Sequence, residues 1–406
     1  MSDIGVSCCV VGGGPAGMMT GYLLARAGIS VAVLEKHGDF LRDFRGDTIH
    51  PSTLQVMDEL GLYDRLLSRR HHKAYALKGR VGESETTFAD FSHLPTRAHF
   101  VAFMPQWDFL DFLAGEAKAY PQFRLFTKAE ATNLIEDGGK VAGVAAKTPD
   151  GPMQVHAQLV IGCDGRHAMT RREGGFQVED VGAPMDVLWF RLPRLPSDPE
   201  DPAGSFGEGH IVIMINRDDY WQCGFVIAKG SFDRIREEGL EAFRRELESL
   251  APFLKGRSRE LKSFNDVRLL TVGVDRLKRW HRPGLLCIGD AAHTMSPVGG
   301  VGINLAIQDA VAAANLLAAP LREGRVTDRD LARVQERRES PTRRMQWLQV
   351  QIQNNVIKRV LGKSAPARPP LAFKLMAWFP WLRRIPARVI GLGIRPEHIS
   401  RGLLQY

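Results

Sequence analysis

The chain predicts a mixed α/β protein: a Rossmann-like nucleotide-binding domain on a parallel sheet, an antiparallel sheet inserted into it, and a helical C-terminal region. Three observations carry that expectation. A βαβ unit with a glycine-rich turn opens the chain, hairpin-like strands fill two later zones, and a second glycine-rich strand–helix corner precedes the C-terminal helices.

The opening unit is residues 6–35. A short apolar run, Val6–Val11, stops at glycines, and a helical period follows through Met18, Leu23, Leu24 and Ala27. Ser30–Leu34 then forms a second strand ending at Glu35, with Lys36 beside it. The turn reads Gly12-x-Gly14-Pro15-Ala16-Gly17. Gly12 permits the tight bend, Gly14 lets backbone approach a pyrophosphate, and Gly17 lets the helix lie close on the strand. The helix start offers unpaired N–H groups and positive dipole charge to phosphate. Glu35 stands where an acid accepts a hydrogen bond from a ribose. Strand, turn, helix and acid together indicate a dinucleotide, and this stretch does not separate NAD from FAD.

Composition bounds the rest. A chain of 406 residues can hold two domains, and 44% hydrophobic with 25% charged residues is ordinary for a soluble globular protein. The net charge of +8 suits anionic dinucleotides or an anionic membrane surface. No basic stripe carries interleaved aromatics, so nucleic acid is not an expected partner; the run Arg69–Lys73 reads as a solvated helix end or loop. The cysteines at 8, 9, 163, 223 and 287 fit no disulfide framework or zinc spacing and mostly lie in strand-like runs, which implies a reducing compartment and no metal. The first strand begins too near Met1 for a signal peptide, and no apolar run reaches a bilayer-spanning length. A cytoplasmic location is expected, with membrane association if the C-terminal tail engages lipid.

After Glu35 a polar loop leads to Ser52, read as the N-cap of a helix over 53–60 that ends at Gly61. Residues 73–96 suggest short strands, and 105–119 a helix with Leu110, Leu113 and Ala117 on one face. Strands at 123–127, 131–136, 141–148 and 153–157 read as an antiparallel meander. A separate run at 159–163 returns to the parallel sheet and stops at Asp164-Gly165. Between 181 and 275 come strands at 188–192, 210–217 and 220–228, a Pro/Gly/acid loop over 193–209, and one amphipathic helix over 232–250. The expected division is a discontinuous nucleotide-binding domain (1–72, 97–180, 276–360), a substrate domain (73–96, 181–275) and a tail (361–406).

The second corner is 289–310. A strand delivers Gly289-Asp290, and glycines after Pro297 feed a helix over 303–317. A carboxylate at a strand end can bind a polyol hydroxyl, and glycine-bared N–H groups can hold negative charge on a flat ring. A flavin needs both.

With three motifs in register, GxGxxG with Glu35, Cys163-Asp164-Gly165, and Gly289-Asp290 with Pro297 and Asn304, the chain resembles the class A flavoprotein aromatic hydroxylases of the para-hydroxybenzoate hydroxylase group over about residues 1–345. The resemblance implies that group's FAD-binding fold. It implies Glu35 on the adenosine ribose, Arg45 near the pyrophosphate and flavin, Gln106 on the FAD linker, and Asp164 serving FAD and NAD(P)H. It puts Asp290 on the ribityl chain and Gly299, Gly300, Val301, Gly302, Ile303 and Asn304 around the pyrimidine edge, with Pro297 on the oxygen-reaction side. Arg42 competes with Arg45 for its role. NADH or NADPH would bind transiently, since no second GxGxxG unit exists. O2 would add at flavin C4a to give a hydroperoxide whose distal oxygen passes to an electron-rich aromatic or quinone-like molecule. The alternative is a dehydrogenase or reductase on the same fold that inserts no oxygen. No catalytic residue transfers; His50, His210, Tyr220 and Trp221 are candidates by location only. The oligomer is expected to be a monomer or homodimer. The tail over 371–390 mixes large apolar side chains with Lys374, Arg383, Arg384 and Arg388, which suits either a membrane surface or the protein's own.

Overall fold

The structure is a computed structural model that describes residues 2–41, 48–81, 84–199, 203–207, 209–361, 375–376 and 378–404. Its larger sheet has five parallel strands in the order Leu285–Cys287, Gly151–Gly162, Ser2–Val11, Val31–Glu35, Phe123–Thr127. Every position of Val31–Glu35 is buried, as a parallel strand covered on both faces requires. The first strand is central, and the chain winds outward from it in both directions, so a topological switch point lies at its carboxyl end.

Register fixes what gathers there. Val11 lies level with Gly162 and with Leu34, and Gly162 lies level with Cys287. The segments that follow these four residues carry Gly12, Asp164, Glu35 and Gly289-Asp290, so one sheet edge presents all four. Hydrogen bonds knit that edge: Gly12 N to Leu34 O (2.8 Å), Cys163 N to Val11 O (2.7 Å) and Ile288 N to Gly162 O (3.0 Å).

A second sheet runs Arg268–Leu270, Met185–Pro193, Tyr220–Ala228, Ile211–Asn216, Ala203–Phe206, Ala76–Val81, Ser84–Asp90. One face packs on the helices Phe232–Glu238 and Leu240–Leu250 through Phe190, Phe225, Phe243 and Leu247. The other carries Val187, Trp189, Ile211, Ile213 and Ile215, the alternate positions of its strands.

Several sequence expectations give way. Residues 123–127 pair parallel with 31–35 rather than joining a meander. The runs at 153–157 and 159–163 form one strand, Gly151–Gly162, antiparallel to Lys140–Thr148 along its first half and parallel to the first strand from Met153 onward. The loop over 193–209 contains a strand, Ala203–Phe206. The helix over 232–250 breaks at Gly239, whose φ of 90° only glycine takes cheaply. Helix Pro51–Glu59 starts at His50, with no side-chain cap; Ser52 lies buried inside its first turn because Pro51 presets the N1 dihedral.

Helix Gly302–Arg322 and its preceding turn are long and apolar enough to cross a bilayer, contrary to the reading of the runs, yet 83% of the most apolar stretch is buried in this fold. It packs on Pro15–Arg26 and on Asp328–Ile352, which opens with a capping box at Thr327. Beyond it, Arg384–Leu392 and the segment to Leu404 fold back as a strap. Ala387 and Leu392 pack with Phe91, Leu94 and Phe103.

Candidate active site

Gly12 has φ 103°, and a Cβ there would lie 2.4 Å from Cys163 O. A Cβ on Gly17 would lie 1.9 Å from Gly12 O, so the helix sits as close to the strand as glycine allows. Gly14 differs. It is extended (φ −73°), and a Cβ on it meets nothing within 4 Å. Neither backbone dihedrals nor packing demand glycine at 14, and the open space leaves its backbone accessible to an approaching group. Gly14 is the N-cap of helix Pro15–Arg26 and makes no side-chain cap, with Pro15 in the first turn. Glu35 is 9% exposed and accepts from Gly13 N and His37 N, both at 2.9 Å. Lys36 beside it is exposed.

Gly289 joins the two turns. With φ 58°, its missing Cβ would fall 3.0 Å from Ala16 Cβ and 3.3 Å from Ala306 Cβ, so the starts of both long helices converge on it. Asp290 follows, exposed at the strand end. Pro297, Gly299 and Gly300 are half-buried, and the last two have φ 78° and 63°. A Cβ on Gly300 would strike Thr48 Oγ1 at 2.3 Å. Gly302 opens the helix, with buried Val301 as its N-cap and half-buried Ile303 packed against the main core.

The Asn304 side chain is spent on the protein. Its Nδ2 donates to Thr48 O (3.0 Å) and Gly300 O (3.3 Å), and its Oδ1 accepts from His50 N and Thr53 Oγ1, both 2.8 Å. Any ligand contact at 304 therefore falls to backbone. Asp164 also has local work: Thr170 N (3.0 Å) and Thr170 Oγ1 (2.5 Å) donate to its carboxylate. Burial pushes that carboxyl up in pKa, against those two bonds. Gly165 has φ 84° and open space where a Cβ would be. Gln106 is half-buried at the first turn of helix Gln106–Ala117. Arg45 and its competitor Arg42 lie outside the described residues.

Three of the four location-only candidates lie away from the two turns. Trp221 is fully buried on the outer face of the second sheet, where Nε1 donates to Asp198 Oδ2 (2.8 Å). His210 stacks on Phe225 (5.0 Å) and pairs with Glu246 on that same side. Tyr220 lies under the Arg191 guanidinium (4.8 Å). His50 alone adjoins the second turn, and its Nδ1 donates to Ile390 O of the strap (2.8 Å). Burial lowers its pKa to about 4, so the ring is neutral near pH 7.

Sequence reasoning missed what holds the second turn. Asp309 is fully buried and takes Gly289 N (3.1 Å), His293 Nε2 (2.6 Å) and Arg338 Nε (2.9 Å). Burial works against its charge, but His293 and Arg338 more than offset this and hold its pKa below the usual range. Arg338, itself buried, continues to Arg395 O (3.0 Å) and Glu397 Oε1 (3.2 Å). The only sequence signal was an Asp and an Arg placed on apolar helix faces.

An open glycine N-cap at 14, a buried acid at the end of the second strand and an exposed acid at Asp290 fit FAD. Residues 5–347 match the FAD binding domain family. The chain belongs to that family of FAD-binding monooxygenases. It is 31% identical over 399 residues to a 6-methylpretetramide 4-monooxygenase of Streptomyces rimosus, covering 97% of this chain and 95% of that one. A rifampicin monooxygenase of Streptomyces venezuelae is 29% identical over 318 residues, 74% of this chain but 61% of that relative's length. In fold, the monooxygenase superposes on p-nitrophenol 4-monooxygenase from Pseudomonas putida DLL-E4 with TM-score 0.77, 18% identity and 96% of each chain covered. It is an FAD-dependent monooxygenase of the aromatic hydroxylase type.

Proposed function

We propose that the enzyme uses NADH or NADPH and O2 to hydroxylate a flat, electron-rich aromatic or quinone-like molecule held against the second sheet. FAD, when bound, supplies the electron transfer and oxygen activation. The chain's part is to bind, orient and keep out water. Gly14 backbone and the start of helix Pro15–Arg26 would hold the pyrophosphate, with Arg45 and Gln106 assisting, and Glu35 with Lys36 the adenosine ribose. Asp290 would take the ribityl chain, and Gly299–Gly302 would give backbone N–H groups to the pyrimidine edge. Asp164 and Gly165 would meet the transient NAD(P)H.

The observation that carries the substrate reading is a hollow in the second sheet's inner face. Ile213 is 41% exposed mid-strand although Ile211 and Ile215, on the same face, are buried. Its lateral neighbours are Gly204 and Gly224, with no side chains to cover it. Trp189 lies over Gly224, and Phe206 and Phe88 meet edge-to-face at 5.8 Å beyond Gly204. A planar apolar ring fits such a floor and such walls.

The test is a screen of aromatic and quinone-like compounds for faster NADH or NADPH oxidation, with products weighed. A true substrate speeds oxidation and gains one oxygen. Ile213→Trp, which fills the hollow, should abolish that stimulation while leaving FAD bound. Unchanged stimulation would place the substrate elsewhere.

A further inference from the structure

The enzyme's positive charge is not spread along the chain. Residues 340–396 hold eleven Lys and Arg and no Asp or Glu, so this segment alone exceeds the net +8 of the whole protein. Within it, the described residues 375–376 and 378–388 carry an unusual surface. Trp378 is 74% exposed, Trp381 59%, Ile385 57% and Phe379 47%. The chain here is not frayed. Phe379 N bonds Leu375 O (2.8 Å), Arg383 Nε bonds Met376 O (3.0 Å), and Ala387 and Gly391 press on Phe91 and Leu94. The inner face of helix Arg384–Leu392 is thus pinned to the protein, which leaves Ile385 and Arg388 on the outer face, with Arg384 exposed but bonded to His93 Nε2 (3.2 Å) near Asp90.

Aromatic side chains beside arginines, in a segment whose sequence has no acid and with Asp90 beside Arg384 as the nearby carboxylate, form a composition that settles at a bilayer interface. Indole rings sit at headgroup depth and the guanidinium groups meet anionic lipid. A second copy of the chain fits poorly, because a two-fold contact would set each basic patch against its own like. We propose that residues 378–388 dock the monooxygenase peripherally on an anionic lipid surface, with Trp378 and Trp381 inserted and Arg384 and Arg388 on the headgroups.

Full-length flavoprotein should co-sediment with vesicles of phosphatidylcholine and phosphatidylglycerol, release at high salt, and ignore phosphatidylcholine alone. Arg384→Gln with Arg388→Gln should weaken binding about 25-fold, roughly fivefold per arginine. Trp378→Ser with Trp381→Ser should abolish it and remove the blue shift of tryptophan emission on vesicle addition. Flavin absorbance unchanged in both variants will show that the fold is intact. Equal binding to neutral and anionic vesicles, or wild-type binding by either double variant, would overturn the proposal. So would absence of vesicle binding, including the case in which Trp378→Ser instead dissolves a dimer or breaks capture by an acidic protein.

Discussion

The two glycine-rich turns that meet at Gly289 are held in opposite ways. In the first, each constraint lies within thirty residues or in an adjacent strand: Gly17 against Gly12 O, Gly13 N on Glu35, Gly12 against Cys163 O. In the second, Asp309 is as near along the chain, but the other supports are remote. Thr48 packs on Gly300, His50 reaches Ile390, and Asp309 holds Gly289 while Arg338 ties Asp309 to Glu397 of the strap. A motif of the first kind keeps its shape by local sterics. One of the second kind depends on buried charge and on the C-terminal segment, so its flavin contacts should be sensitive to changes that touch no ligand.

The largest effect should come from Arg338→Met. It leaves buried Asp309 to His293 alone and buried Glu397 to Arg337 alone, at a cost of up to about 3–5 kcal/mol. Melting temperature should fall and flavin should dissociate on gel filtration. If flavin affinity is untouched at a lowered melting temperature, the network supports the core and not the turn.

Next comes pH. His50 has a folded pKa of about 4 against an ordinary 6.5, so the unfolded chain binds the proton first. The stability this group contributes is complete above pH 6.5, and is lost as pH falls toward 4, by up to about 3 kcal/mol. His50→Gln, which retains a donor for Ile390 O, should flatten that part of the urea-midpoint profile. An equally steep profile in the variant would move the effect to another group.

Asp290→Ala should weaken FAD retention about ten- to a hundredfold by removing a charge-assisted acceptor. Dialysis followed by flavin absorbance reads it, and retention equal to wild type would remove Asp290 from the site.

The finest comparison is Gly17→Ala against Gly14→Ala. The former must displace backbone and should destabilise the flavin-free protein by about 1–3 kcal/mol. The latter projects into open space and should cost about 1 kcal/mol or less in the flavin-free protein, yet weaken FAD about tenfold. Similar apoprotein stabilities for the two would mean that Gly12 and Gly17 do not pack as described.

How far the sequence was legible follows the same division. Period and turn residues sufficed for Pro15–Arg26, Gln106–Ala117 and the hairpin at Asp218-Asp219, because each is decided by near neighbours. They failed where partners are remote. Residues 123–127 look like any strand until Val31–Glu35 lies alongside, and Ala203–Phe206 becomes a strand only between 211–216 and 76–81. At the site, the glycines and acids were visible as types at strand ends. The task of Asn304, the placement of His50 and the reach of Glu397 were not, since no spacing along the chain encodes a contact 340 residues away. The tail reads both ways: residues 384–404 pack as a strap, while the aromatics of 375–385 face outward.

The most direct test of the account is the origin of the new oxygen. With a substrate from the screen, reaction under O2 enriched in the heavy oxygen isotope should give a hydroxylated product that carries one heavy atom, and reaction in isotopically heavy water should give none. Heavy oxygen drawn from water, in a product that does not exchange with solvent, would contradict oxygen transfer at this site.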